Sequence, residues 1–300
     1  VSINHESVEY LHQECFRVLK WDTDVNAVEI LDSRRGCFVA LQGVGSQWHR
    51  HAEIEITLVQ SGKGIRVVGD ESSAIPTSSS LVVLGRGLPH YWRFSGASAG
   101  ICVQFNDIQL LGLLTEQLRV EVLDFINRAA LGLEFGKQDL HEASEFLKQI
   151  VTVAGSSSLG NFGLFLQLLG RLSNASPDAT RQMSSIRFDG AFNEDNYFEM
   201  QKAVAWIMAN FQSEFRLADV LDQVQMSKTS FSRHFGKFTG LSFGKFVSEI
   251  RISNACLLLH SSERSISEIA LESGFSNLSN FNRLFLQSKG VPPSQYRMNS

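Results

Sequence analysis

Leu217-Ala-Asp-Val-Leu221, Met226-Ser227 and Phe231-Ser-Arg-His-Phe235 are answered later in the chain by Ile266-Ser-Glu-Ile-Ala270, Phe275-Ser276 and Phe281-Asn-Arg-Leu-Phe285. The first halves align at an offset of 49 and the second halves at 50, so the second copy holds one extra residue just after its turn. Each copy sets apolar residues at helical spacing, breaks, then resumes with a polar start and an apolar stripe. That is the pattern of a helix-turn-helix, whose second helix enters a DNA major groove. A helical hairpin that packs and binds nothing shows the same pattern once. Two copies, each with Arg two residues after a Phe and joined by a helix-like segment over 243–259, favour the DNA reader.

Around this repeat the chain is helical from Tyr197 to Ser300, cut at Gly240, at 261–265, at Gly274 and at Gly290-Val-Pro-Pro293. Upstream, 173–196 is polar and carries Pro177, Gly190 and Asp195, which reads as linker. From 107 to 172 the spacing of Leu110, Leu111, Leu114 and Leu118, then Val122, Phe125 and Ile126, predicts helices. From Val25 to about Phe105, short Val/Ile/Leu/Phe runs alternate with Gly and Ser, which predicts an antiparallel sandwich or barrel. The expected domains are 1–175 for sensing and dimerisation, a linker at 176–198, and 199–300 for DNA binding, with helix-turn-helix units at about 217–238 and 266–288.

Charge follows the same division. Residues 199–300 carry 11 Lys and Arg against 8 Asp and Glu, while the first 198 carry 16 against 23. A mildly basic tail on an acidic body suits a polyanionic partner. With 43% hydrophobic and 19% charged residues each part can bury a core, which excludes general disorder. No apolar run is long enough for a membrane span, and 1–6 shows no secretory leader. Cys15, Cys37, Cys102 and Cys256 follow no disulfide or metal spacing, as expected of reduced thiols in the cytoplasm.

Arg251-Ile-x-x-Ala255-x-x-Leu258-Leu259, Ile266-Ser-Glu-Ile-Ala270, Gly274-Phe275, Phe281-x-Arg283-x-Phe285 and Gly290-Val-Pro-Pro-Ser-Gln-Tyr296-Arg297 resemble the AraC/XylS family of transcription regulators over roughly 199–300. Leu221, where a small Ala is usual, and Leu286, where Lys is frequent, depart from the family pattern. The resemblance implies two helix-turn-helix units about one DNA turn apart. Thr229, Ser232 and Arg233 of the first, and Leu278, Ser279, Asn282 and Arg283 of the second, would then face bases. Arg suits guanine, Asn suits adenine, and an apolar tip suits the thymine methyl. Lys228, Lys237 and Lys289 are the candidate phosphate contacts. Phe231, Phe235, Phe281 and Phe285 are expected in the cores of the two units.

In the first half, Gly43-x5-His49-x-His51-x3-Glu55-x6-Gly62 and Gly85-x-Gly87-x2-His90 resemble the two cupin motifs, with Gly85 replacing Pro and Phe94 where Asn is usual. This implies a small all-β cupin barrel, a double-stranded β-helix with appended helices, ahead of an all-α domain. Sugar-type AraC regulators share that arrangement. His49, His51, Glu53 and Glu55 have one parity and would share one strand face, which must line water, a ligand or a metal. With His90 and Trp92 they form the expected effector pocket. His49, His51, Glu55 and His90 are the set that would hold a divalent transition metal such as zinc, nickel, manganese or iron. A metal-free pocket in which the same histidines bind a polar effector is the alternative. Trp48, Tyr91 and Trp92 could stack on a sugar or fill the core, and Arg66 and Arg93 are expected at solvated strand ends.

The expectation is a cytoplasmic, ligand-responsive regulator of promoter DNA. Its effector would be a sugar or other small polar metabolite, and RNA polymerase would be a partner if it activates. The apolar stripes of 107–172 would be covered by a homodimer mate or by the barrel itself. A metal-dependent cupin isomerase or dioxygenase with a DNA-binding tail is the rival.

Overall fold

The computed structural model describes residues 15–32, 35–42, 45–46, 48–153, 158–188 and 197–298. Gly43, the first residue of the cupin-like motif, and 189–196 of the expected linker lie outside them.

The first half is two antiparallel sheets. The larger is built from β1 (Phe16–Trp21), β2 (Ala27–Asp32), β3 (Cys37–Gln42), β4 (Ile54–Ser61), β7 (Ser80–Leu84), β9 (Ala99–Phe105), β10 (Leu133–Phe135) and β11 (Thr180–Gln182). Their order is β11-β10-β7-β4-β9-β1-β2-β3. The smaller sheet runs β6-β5-β8, from β5 (Gly64–Val68), β6 (Glu71–Ile75) and β8 (His90–Phe94). The expected closed barrel is not formed among the described residues. The sheets face each other, and at the cup's His-bearing end an isolated bridge joins His49 to His90. Strands begin at Phe16, upstream of the expected Val25.

Alternation along the strands stacks the molecule in layers. On β4, Ile54, Ile56 and Leu58 join Val18, Val103 and Phe105 under α1 (Asp107–Leu113), α2 (Glu116–Ala129), α3 (Lys137–Thr152) and α4 (Ser158–Ser173). Phe125, Leu147, Phe165 and Leu168 fill that side. The helical stripes are therefore covered by their own sheet, the second of the two expected covers. Residues of the opposite parity, Leu19, Trp21, Val59 and Cys102, face inward with Val68 and Trp92 of the small sheet. That space is the cup.

The remaining face of the small sheet is covered by the helical half. This comprises α5 (Tyr197–Asn210), α6 (Leu217–Leu221), α7 (Lys228–Thr239), α8 (Phe243–Ser261), α9 (Ile266–Glu272), α10 (Leu278–Lys289) and α11 (Pro293–Met298). Ile65, Val67, Tyr91 and Trp48 share one apolar core with Phe231, Phe235, Phe246 and Ile250. Helix α8 lies across β5 and β6, where Ser72 donates to the Glu249 carbonyl at 2.9 Å and its hydroxyl meets that of Ser253. Part of the expected linker is pinned: β11 pairs with β10. Just after it, the Asp70 carboxylate accepts from the Ser184 hydroxyl at 2.9 Å and the Ser185 amide at 2.8 Å.

The candidate DNA interface and the buried cup

The two helix pairs reproduce the repeat in three dimensions. Helices α7 and α10 each span 12 residues and both end on a left-handed glycine, Gly240 at φ 74° and Gly290 at φ 73°. Only glycine takes that backbone conformation without strain. The one-residue offset is absorbed before the second helix: Ser227 caps α7 by accepting from the Ser230 amide, and Asn277 caps α10 by accepting from the Asn280 amide. Phe231, Phe235, Phe281 and Phe285 are fully buried. Thr229, Ser232, Arg233, Leu278, Ser279, Asn282 and Arg283 are all exposed, as are Lys228 and Lys237, and Arg283 also lines a cleft shared with Asp70, Glu71 and Ser72 of the first half. Lys289 differs. It is half-buried and its ammonium lies 3.4 Å from the Ser72 carbonyl of the first half, so it faces β6.

In the cup, a ligand atom from each of His49, His51, Glu55 and His90 lies within 4.8 Å of the others, and all four residues are buried. One strand face does not bring them together, because β4 starts only at Ile54. His49 arrives on the bridge with His90, with N–H···O distances of 3.1 and 2.9 Å, and a bend over 51–53 turns His51 back toward Glu55. That bend takes Glu53 out of the group: its carboxylate sits 3.8 Å from the outer nitrogen, Nδ1, of His51. Trp92 lines the cup, whereas Trp48 and Tyr91, one residue from His49 and His90, point into the helical half. Arg66 is no solvated strand end. It is 1% exposed, pairs with Glu134, and donates to Ser73 and Ser80 at 3.0 and 2.9 Å. Arg93 stacks its guanidinium 4.8 Å from the Phe211 ring.

The hydrogen bonds set the chemistry of the cluster. His51 Nδ1 lies 3.0 Å from the Glu53 carbonyl, and His90 Nδ1 lies 2.9 Å from the Leu88 carbonyl. A carbonyl only accepts, so each Nδ1 carries a proton, and a neutral ring then turns its Nε2 lone pair inward. His51 Nε2 stands 3.2 Å from Glu55 Oε2, within hydrogen-bond distance, and His90 Nε2 stands 3.7 Å from it; among the described residues His90 Nε2 has no hydrogen-bond partner. Burial would raise the Glu55 pKa, but His90, His51 and the Thr57 hydroxyl hold it well below the usual carboxylate range. Burial, then His49, pushes His90 down to about 3. Neutral imidazoles and an ionised carboxylate converging on one point are the protonation states that ligate a cation, with backbone carbonyls orienting the rings from behind. The residues fit a divalent metal.

Residues 220–299 match the model of a helix-turn-helix domain. The regulatory protein PocR of Salmonella typhimurium is 38% identical over 99 residues, which is 33% of each chain. The tail of this chain is an AraC-type helix-turn-helix domain. The HTH-type transcriptional activator RhaR of Escherichia coli K12 is 23% identical over 265 residues, covering 83% of this chain and 86% of that one. ToxT of Vibrio cholerae is 17% identical across 95% of this chain, with a TM-score of 0.35. The PocR match spans a third of that protein's length. These relatives carry names of transcriptional regulators and activators, which favours DNA binding over the rival cupin enzyme. Among the described residues no helix is long and apolar enough to cross a membrane.

Proposed function

We propose that this AraC-type regulator acts in the cytoplasm by reading promoter DNA through α7 and α10, under control of the cup. The observation that carries the reading is the exposure of Thr229, Ser232, Arg233, Leu278, Ser279, Asn282 and Arg283 on two helices, over cores closed by the four Phe side chains. Such exposed polar and Arg-bearing helices suit base edges, and Lys228 and Lys237 suit the flanking phosphates. His49, His51, Glu55 and His90 hold a divalent transition metal. A homodimer forms through Ile108 and Leu113 of α1 and Leu118, Val120 and Leu123 of α2, which stay exposed after the helices have covered the sheet. RNA polymerase is the further partner where the regulator activates.

The test is selection of duplexes from a random pool by the full chain, followed by titration of the enriched duplex. Enrichment of a two-part site with parts about one helical turn (~10 base pairs) apart is the expected result. Recovery of a single part, or of no sequence, would remove the paired reading.

A further inference from the structure

Three observations meet at His49 and His90. The first is size. The cup beside the four ligands encloses about 60 Å³, lined mainly by Leu19, Trp21, Val25, Val28 and Trp92. Sites for organic ligands usually offer ~300–1,000 Å³. The second is that the polar atoms around the cluster are spent on one another. Thr57 donates to Glu55 at 2.5 Å, Gln104 donates to Glu55 at 2.8 Å, and Arg17 donates to Gln104 at 2.7 Å. A polyol would find little left to bind, whereas the bare Nε2 of His90 points into the cluster.

The third observation is what lies on the back of the ligands. His49 and His90 are joined by both backbone hydrogen bonds of their bridge. Their neighbours Trp48 and Tyr91 point the other way, into the core of the DNA-binding half, where Trp48 meets Phe246 of α8 edge-on at 5.6 Å. Helix α8 joins the two helix-turn-helix units. A stretch one residue thick therefore carries metal ligands on one side and the seat of the DNA reader on the other.

We propose that the effector of this regulator is the divalent transition-metal ion itself, read out by the DNA-binding half through the bridged residues 48–49 and 90–91. The proposal rests on the metal reading of the cluster made above. Gathering His49 and His90 onto one point moves Trp48 and Tyr91 against α8. The ion then shifts the population of docked geometries by as much as its affinities for them differ.

The experiment uses the full chain, stripped with chelator, and an enriched duplex from the pool selection. Co²⁺, Zn²⁺, Ni²⁺ and Mn²⁺ are added singly with no organic ligand. Metal stoichiometry is read from the Co²⁺ absorption spectrum, duplex affinity from anisotropy, and α8 protection from amide hydrogen exchange. One ion per chain should bind, change duplex affinity at least fivefold and alter exchange along α8. His51→Ala should abolish all three responses. Phe246→Leu should keep the Co²⁺ spectrum while reducing the affinity change to below twofold. If Phe246→Leu does not fold, exchange along α8 in the wild-type chain, with and without Co²⁺, decides alone. One bound ion with unchanged duplex affinity and exchange would overturn the effector role and leave the metal site standing. No bound ion at all would overturn the metal site and the proposal with it.

Discussion

The two helix-turn-helix units share a sequence pattern, a helix length and a capping glycine, yet they are embedded differently. The first builds its core together with the sensor: Phe231 and Phe235 lie in one cluster with Trp48, Ile65, Val67 and Tyr91. The second closes on itself, with Phe275, Phe281 and Phe285 packed against Ile252, Cys256 and Ile269. It meets the sensor only at polar points such as Lys289 and Ser72. One unit is structurally continuous with the cup and the other follows through α8. A repeat in sequence thus specifies two like readers without making them equal receivers of a signal.

The largest expected effect tests that difference directly. Phe235→Ala and Phe285→Ala should each cost about 3–5 kcal/mol of stability, the usual range for truncating a buried Phe. Only Phe235→Ala should also speed hydrogen exchange in β5 and β8. Equal loosening of those strands by Phe285→Ala would erase the distinction. Next, Arg233→Ala and Arg283→Ala should each cost ~1–3 kcal/mol on the cognate duplex and relax base preference within their own half of the site. Unchanged affinity and preference in both variants would remove α7 and α10 as readers.

Smaller effects sharpen the comparison. Ser227→Ala and Asn277→Ala each remove a helix cap worth about 1 kcal/mol. Urea unfolding should show similar losses for the two, because both caps are exposed. Smallest is the phosphate term. Lys237→Ala should flatten the slope of log affinity against log salt by about 0.9 on any duplex. Lys289→Ala should flatten it less, since its ammonium is held at the Ser72 carbonyl. A full step for Lys289 would mean that β6 releases it on DNA.

Much of this was legible in the sequence. The 49- and 50-residue offsets mark both readers and the extra residue between them, because a helix-turn-helix is a local object whose core lies within one copy. The convergence of His49, His51, Glu55 and His90 was legible as a motif, whereas the parity argument also set Glu53 on the same strand face. Strand alternation fails there because β4 begins only at Ile54, after a bend that a count of residues does not reveal. The open pair of sheets and the burial of Arg66 were not legible. Closure depends on strand pairing between distant segments, and a buried guanidinium depends on Glu134, 68 residues away. Nor does any local signal show that Trp48 and Tyr91 belong to the core of the other half.

The clasp of Asp70 on Ser184 and Ser185 shortens the tether between the halves. From Phe188, the last described residue after the clasp, to Tyr197 at the start of α5 there are nine peptide steps, spanning about 30 Å at most at ~3.3–3.6 Å per residue. The DNA-binding half therefore faces the sensor sheet at an effective concentration in the millimolar range, set by chain length and independent of expression level. An interface too weak to join two separate molecules closes readily under that condition and still opens for a modest free energy. Lengthening the tether would weaken docking by dilution alone, with every contact across the interface unchanged.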